Sequence, residues 1–179
     1  MAKLFYAILL GLIGAVLVHL TVLLLILPYS GSALWTRLGR ETALSRFVTL
    51  PADNPVSKTA DPFFRLKLCR FNLEESPVHL SAAGDVPFWS LSIYSQKGEN
   101  IYSINSNTAP DNVLNIIAVN PLEMMDFKHN MPEAYTGAAV AALNSSNNFA
   151  ILRALLPSAD WQKQVEDFFA GAKCERIDY

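Results

Sequence analysis

The chain has 179 residues, with 14 Lys plus Arg set against 16 Asp plus Glu and a formal net charge of −2. With charge so balanced and no basic stripe, a nucleic-acid-binding surface is excluded as a reading. The hydrophobic share of 51% is inflated by one N-terminal stretch, and the remainder has the make-up of a single ordinary domain.

That stretch runs from Phe5 to Leu27 without a formal charge. As a helix rising about 1.5 Å per residue it reaches about 34 Å, enough to cross a hydrocarbon layer of about 30 Å. Gly31, Ser32 and Ala33 would serve as a signal-peptidase site, but the apolar run exceeds the ordinary signal length of about 7–15 residues, so an uncleaved anchor over residues 1–28 is the expectation. Ala7, Gly11, Ala15 and His19 recur every fourth residue and share one helical face. Small residues at that spacing let a second helix approach closely in lipid, and a polar ring inside the hydrocarbon usually faces protein. The partners expected are therefore the bilayer and either an integral-membrane protein or a second copy of the chain. For His19 a hydrogen bond to a neighbouring carbonyl is favoured over proton relay, since one His makes no relay.

Residues 29–62 read as a juxtamembrane segment and linker: a turn after Pro28, a short helix over Leu34–Phe47 lying at the lipid headgroups, then the proline-rich Pro51–Pro62. Lys3 precedes the anchor while Arg37, Arg40 and Arg46 follow it, which by charge alone would leave the C-terminal part in the cytoplasm. Long domains cross largely regardless of such charges, and the cysteines point outward, so the C-terminal domain is expected on the external, periplasm-like side.

From Phe63 the pattern turns to period two. Phe63–Leu73 predicts a long strand, with Phe64, Leu66 and Leu68 on one face and Cys69, Phe71 and Leu73 on the other after a bulge. Val78–Ala82 predicts a second strand, and Pro87–Gln96 a third with Trp89, Leu91 and Ile93 opposite Phe88, Ser90, Ser92 and Tyr94. Lys97, Gly98 and Glu99 supply a hairpin turn into Asn100–Asn107. Asn112–Val119 is a further strand; Asn120, Pro121 and Glu123 then stand in the order of a helix start. Ala134–Leu143 and Phe149–Leu156 predict two strands around the turn NSSNN. Ser158 opens a last helix with Trp161, Val165, Phe168 and Phe169 as its apolar stripe. The fold expected is a single transmembrane helix plus a mainly-β (α+β) domain over 63–179, about seven mostly antiparallel strands in a sandwich or curled sheet with the C-terminal helix packed on it.

Cys69 and Cys174 are too far apart in sequence for a CxxC or zinc pattern. In an oxidising compartment they can pair and close a loop of about a hundred residues; otherwise they are two thiols, one of them in the core. His79 and His129 lack any metal-ligand spacing, no serine has a nucleophile-elbow context, and no phosphate-binding glycine motif is present. No catalytic residue, metal or cofactor is therefore assigned. Trp89, Tyr94, Tyr102, Asn100, Asn105 and Asn107 cluster around one hairpin, with His79 and Asp85 as nearby polar candidates. Stacking and amide hydrogen bonds there would suit a sugar or peptide, although alternation turns about half of these side chains into the core.

The segments Cys69-Arg70-Phe71-Asn72-Leu73, Gly84-Asp85-Val86-Pro87-Phe88-Trp89-Ser90-Leu91-Ser92-Ile93-Tyr94 and Asn100-Ile101-Tyr102-Ser103-Ile104-Asn105 resemble an uncharacterised group of small alphaproteobacterial inner-membrane proteins. That group is similar in turn to a β-rich domain of unknown function found in larger bacterial proteins. Where the relatives' tyrosine is often followed by Asp, Tyr94 is followed by Ser95. The resemblance implies a fold and a location and carries no reaction. Three functions stand as expectations: foremost an interaction or assembly module for a partner membrane protein, next an envelope enzyme or small-ligand binder using the Phe88–Asn107 hairpin, and third a purely structural envelope protein.

Overall fold

The computed structural model describes residues 2–41, 44–50 and 54–178. Helix α1 spans Ala2–Glu41. Its first 24 residues, Ala2–Leu25, are long and apolar enough to cross a membrane. The expected turn after Pro28 is absent: the backbone stays helical for 13 residues past it, although proline lacks the N–H that would bond back one turn. The side chains of residues 26–43, and residues 51–53 of the expected linker, lie outside the description. Of the helix expected over Leu34–Phe47, residues 34–41 are helical as the continuation of α1, residues 42–43 lie outside the described residues, and the part from Leu44 is not helical. Helix α1 ends at Glu41, and Leu44–Leu50 is extended chain bridged to the first strand.

Among the described residues, eight strands form two four-stranded sheets. In the first, β1 (Phe64–Asn72), β7 (Asn147–Leu155), β3 (Trp89–Ser95) and β4 (Asn100–Asn105) lie in that order; in the second, β6 (Ala139–Ala142), β5 (Leu114–Val119), β2 (Val78–Ala82) and β8 (Lys173–Arg176). Every pairing is antiparallel except β5 with β6. That exception follows from the chain between them, which carries helix α3 (Met124–His129) and a 3-10 turn at Glu133–Tyr135, because parallel neighbours need a crossover rather than a hairpin. The NSSNN segment is therefore no hairpin turn. It passes the chain from one sheet to the other, held by Asn148, whose Nδ2 donates to the carbonyls of Ser145 (2.7 Å) and Ser146 (3.3 Å).

Alternation sets what lies inside. Cys69 and Phe71 of β1, Trp89, Leu91 and Ile93 of β3, and Ala150 and Leu152 of β7 meet Val78, Leu80, Leu114, Ile116 and Cys174 of the second sheet in one core. The bulge expected in β1 is not there. Its register with β7 runs unbroken from Phe64 opposite Leu155 to Asn72 opposite Asn147, so plain alternation puts Cys69 and Phe71 opposite Leu66 and Leu68. Both faces of β1 are apolar because both are covered: Leu66 and Leu68 join Leu50, Phe149, Ile151 and Tyr94 in a separate cluster on the outer side. Leu44–Leu50 thus packs on the body ahead of β1. Ser45 N–H donates to Arg70 O (2.7 Å), and Val48 and Leu68 exchange N–H···O bonds of 2.8 and 2.9 Å. An otherwise bare strand edge is closed in this way.

On the second sheet, the crossover lays Phe127, Met124, Met131 and Tyr135 over Ile117, Val119 and Ile177. Helix α2 is a single turn at Pro55–Lys58, and helix α4 (Gln162–Gly171) closes one end of the sandwich by burying Val165, Phe168 and Phe169. Ser158 precedes a 3-10 turn and makes no capping bond; its hydroxyl donates to Asp160 instead. Helix α4 packs tightly on Gly84. A Cβ there would stand 3.2 Å from Phe168 Cδ2 and 3.4 Å from Phe168 Cα, on a backbone at φ +157°. Gly84→Ala is expected to destabilise the body by about 1–3 kcal/mol, read as a lower urea midpoint, whereas Gly98→Ala, at an open turn with φ +85°, involves backbone strain alone.

Candidate functional site

The hairpin residues do not converge on a site. Trp89 is fully buried, its indole N–H donating to the carbonyl and Oδ1 of Asn112, both at 3.0 Å. Tyr102 packs on the main core, and burial raises its phenol pKa. Tyr94 stacks on Phe149 with ring centroids 5.2 Å apart. Asn105 stabilises the turn that follows it, its Oδ1 accepting from Asn107 N–H (2.9 Å), while Asn100 pairs with Ser103. Asp85 is exposed. His79 belongs to the other sheet, with Nε2 2.9 Å from Asn115 Oδ1, Nδ1 3.7 Å from Glu175 and its ring edge-on to Tyr135. The residues proposed as one surface are thus divided among the core, two opposite faces and a turn.

The outer face of β3 and β4 carries a row of small polar groups. Ser103 Oγ lies 3.3 Å from Ser92 Oγ, and Arg153 Nη1 donates to Ser92 Oγ at 3.4 Å. Neither serine has a base beside it, since the neighbours are a hydroxyl, an amide and a guanidinium, so nothing there activates a nucleophile. Among the described residues no cluster of three or more His, Cys, Asp or Glu is arranged to hold a metal. Cys69 and Cys174 are joined as a disulfide with Cα atoms 6.5 Å apart, tying β1 of one sheet to β8 of the other.

A concave site does exist, away from the hairpin. It is a cleft of about 370 Å³ between β1, the Leu44–Leu50 segment and α4, within the size range of small-molecule sites. Leu66, Leu156, Val165 and Phe169 form its apolar walls, and Thr49, Arg65, Lys67, Gln162 and Glu166 supply its polar groups. On the face of β1 that carries buried Cys69 and Phe71, the two earlier positions are half-buried Lys67 and exposed Arg65, where the core gives way to water. Lys67 Nζ donates to Phe169 O at 2.9 Å, at the C-terminal end of α4, and stands 5.8 Å from the Phe169 ring centroid. A cation there complements the helix dipole, and the same carbonyl also accepts the Ala172 N–H at 3.3 Å. Desolvation lowers the Lys67 pKa from its ordinary value. Arg65 Nη1 donates to Pro62 O at 3.3 Å, and Gln162 Nε2 donates to Glu166 Oε1 at 2.9 Å. The sequence reading missed this site because its parts are about a hundred residues apart; the signal available was two cations in β1 at the same parity as the core residues Cys69 and Phe71.

No family model and no curated protein matches the sequence. Among solved structures, the VPA0106 protein from Vibrio parahaemolyticus is similar over 85% of this chain and 36% of its own, with a TM-score of 0.65 at 13% identity. A protein from Burkholderia cenocepacia is similar over 74% of this chain and 35% of its own, with a TM-score of 0.49 at 11% identity. The chain spans about a third of the length of these structures. The Vibrio likeness is one of fold alone.

Proposed function

We propose that this is a single-pass membrane protein of the bacterial inner membrane whose β-rich body stands on the periplasmic side as an interaction or assembly module, recruited to a partner membrane protein or a second copy by its anchor. The observation that carries the reading is His19. It lies about two turns inside the apolar stretch and has no hydrogen-bond partner among the described residues, while Thr21 satisfies its own hydroxyl by donating to Leu17 O at 2.8 Å. An imidazole N–H left unpaired in hydrocarbon costs several kcal/mol, so a neighbouring helix is the natural source of an acceptor. The face is open to one: every side chain from Ala2 to Leu25 is exposed, and a Cβ on Gly11 would meet nothing within 4 Å. The disulfide supports the outward placement of the body, since such bonds persist in oxidising compartments.

The test is purification of the full chain in mild detergent, with a photo-crosslinking residue at position 19. A cross-link to a second membrane helix is expected, and Gly11→Leu should weaken the captured complex by about tenfold. Capture of lipid alone, with complex formation unchanged in the leucine variant, would overturn the reading. So would a mature chain free in solution and beginning near Leu34.

A further inference from the structure

Beyond that reading, we infer that the cleft between β1, α4 and the Leu44–Leu50 segment is a binding site for a small amphipathic anion, one with a carboxylate or phosphate head on a short hydrocarbon body. Three observations combine. Arg65 and Lys67 bring two positive charges to the cleft, and among the described residues neither has a carboxylate within 4.0 Å. Each gives a hydrogen bond to a backbone carbonyl, Pro62 for Arg65 and Phe169 for Lys67. An ammonium has three N–H groups and a guanidinium five, so donors remain for a ligand. The third charge, Glu166, is tied to Gln162 one turn away along α4, which leaves the balance in the cleft positive.

The walls decide the rest of the ligand. Leu66, Leu156, Val165 and Phe169 offer hydrocarbon and an aromatic edge rather than hydrogen-bonding groups, so an inorganic anion would leave most of the cleft without favourable contact, while an alkyl body fills it. The head belongs at Lys67, whose ammonium is partly stripped of water and gains most from a charge-assisted hydrogen bond. Such a molecule is either a soluble short-chain acid or the end of an anionic lipid, and the two share this recognition chemistry.

The experiment uses the full chain in phosphatidylcholine nanodiscs, titrated calorimetrically with hexanoate against empty nanodiscs. Saturable one-site binding is expected, with no binding of hexyltrimethylammonium. Lys67→Met keeps the stem against Phe169 and removes the charge, and should weaken hexanoate at least about tenfold. Ala170→Phe, on the exposed side of α4 at the cleft wall, should abolish binding while leaving the thermal melt in place. Adding phosphatidylglycerol separates the sources: competition with hexanoate assigns the ligand to the bilayer, and none assigns it to solution. The inference falls if hexanoate shows no saturable heat, if the ammonium analogue binds as well, or if Ala170→Phe binds hexanoate unchanged. The last criterion stands even if Lys67→Met fails to fold. None of these results depends on whether His19 meets a second helix.

Discussion

Trp89→Ala is expected to cost about 3–5 kcal/mol of stability, the range for removing a large aromatic from a packed interior. Trp89 is 0% exposed and stands among the largest buried side chains of the body. Its loss leaves a cavity between the sheets and also removes the N–H that bonds the carbonyl and amide oxygen of Asn112. Against a total of about 5–15 kcal/mol for a domain, most of the margin would go. Trp89→Phe keeps one aromatic ring and removes the five-membered ring with its N–H, so it should cost less, about 1–3 kcal/mol. Urea midpoints of the full chain in mild detergent measure both. A platform for a sugar would behave oppositely, losing ligand and keeping stability, so an unchanged midpoint in the alanine variant would overturn the core assignment.

Opening the Cys69–Cys174 bond should cost about 2–4 kcal/mol. The bond closes a loop of 105 residues in sequence separation, which takes in every strand from β2 to β7, so its main action is to restrict the unfolded chain. Both sulfur-bearing residues are buried, and they join the first sheet at β1 to the second at β8. The double variant Cys69→Ala with Cys174→Ala should show a lower thermal midpoint by about 10 °C, and the oxidised wild-type chain should fall by the same amount when treated with reductant. Equal midpoints with and without reductant would show that the pair contributes nothing in solution.

Strands β2 and β3 and the hairpin at Gly98 were legible because each presents one face to the core, and period two survives in the sequence as Trp89, Leu91 and Ile93 against Ser90 and Ser92. The stripe of α4 was legible for the matching reason at helical period: Val165, Phe168 and Phe169 are buried. Failures occurred where a second neighbour altered the pattern. Strand β1 suggested a bulge because Leu50 and its surroundings cover the face that is normally wet. Strand β8 went unseen because an edge strand with Cys174 as its one buried residue between Lys173, Glu175 and Arg176 has no apolar rhythm. The expected strand from Ala134 begins only at Ala139, since Gly137 at φ +91° turns the chain first. The cleft was least legible. Arg65 and Lys67 meet Gln162 and Glu166 only after α4 folds back across the end of the sheets, and no local spacing encodes that closure.

The Leu44–Leu50 segment gives the molecule a mechanical arrangement. Only Thr42 and Ala43 separate the end of α1 from the first residue bridged to β1. Any displacement of α1 therefore reaches β1 through this segment, which is held by the backbone bonds of Ser45, Val48 and Leu68 and by the buried side chains of Phe47 and Leu50. Thr49, in the same segment, is itself part of the cleft wall. Traction on the tether and the width of that opening thus share a single strip of chain.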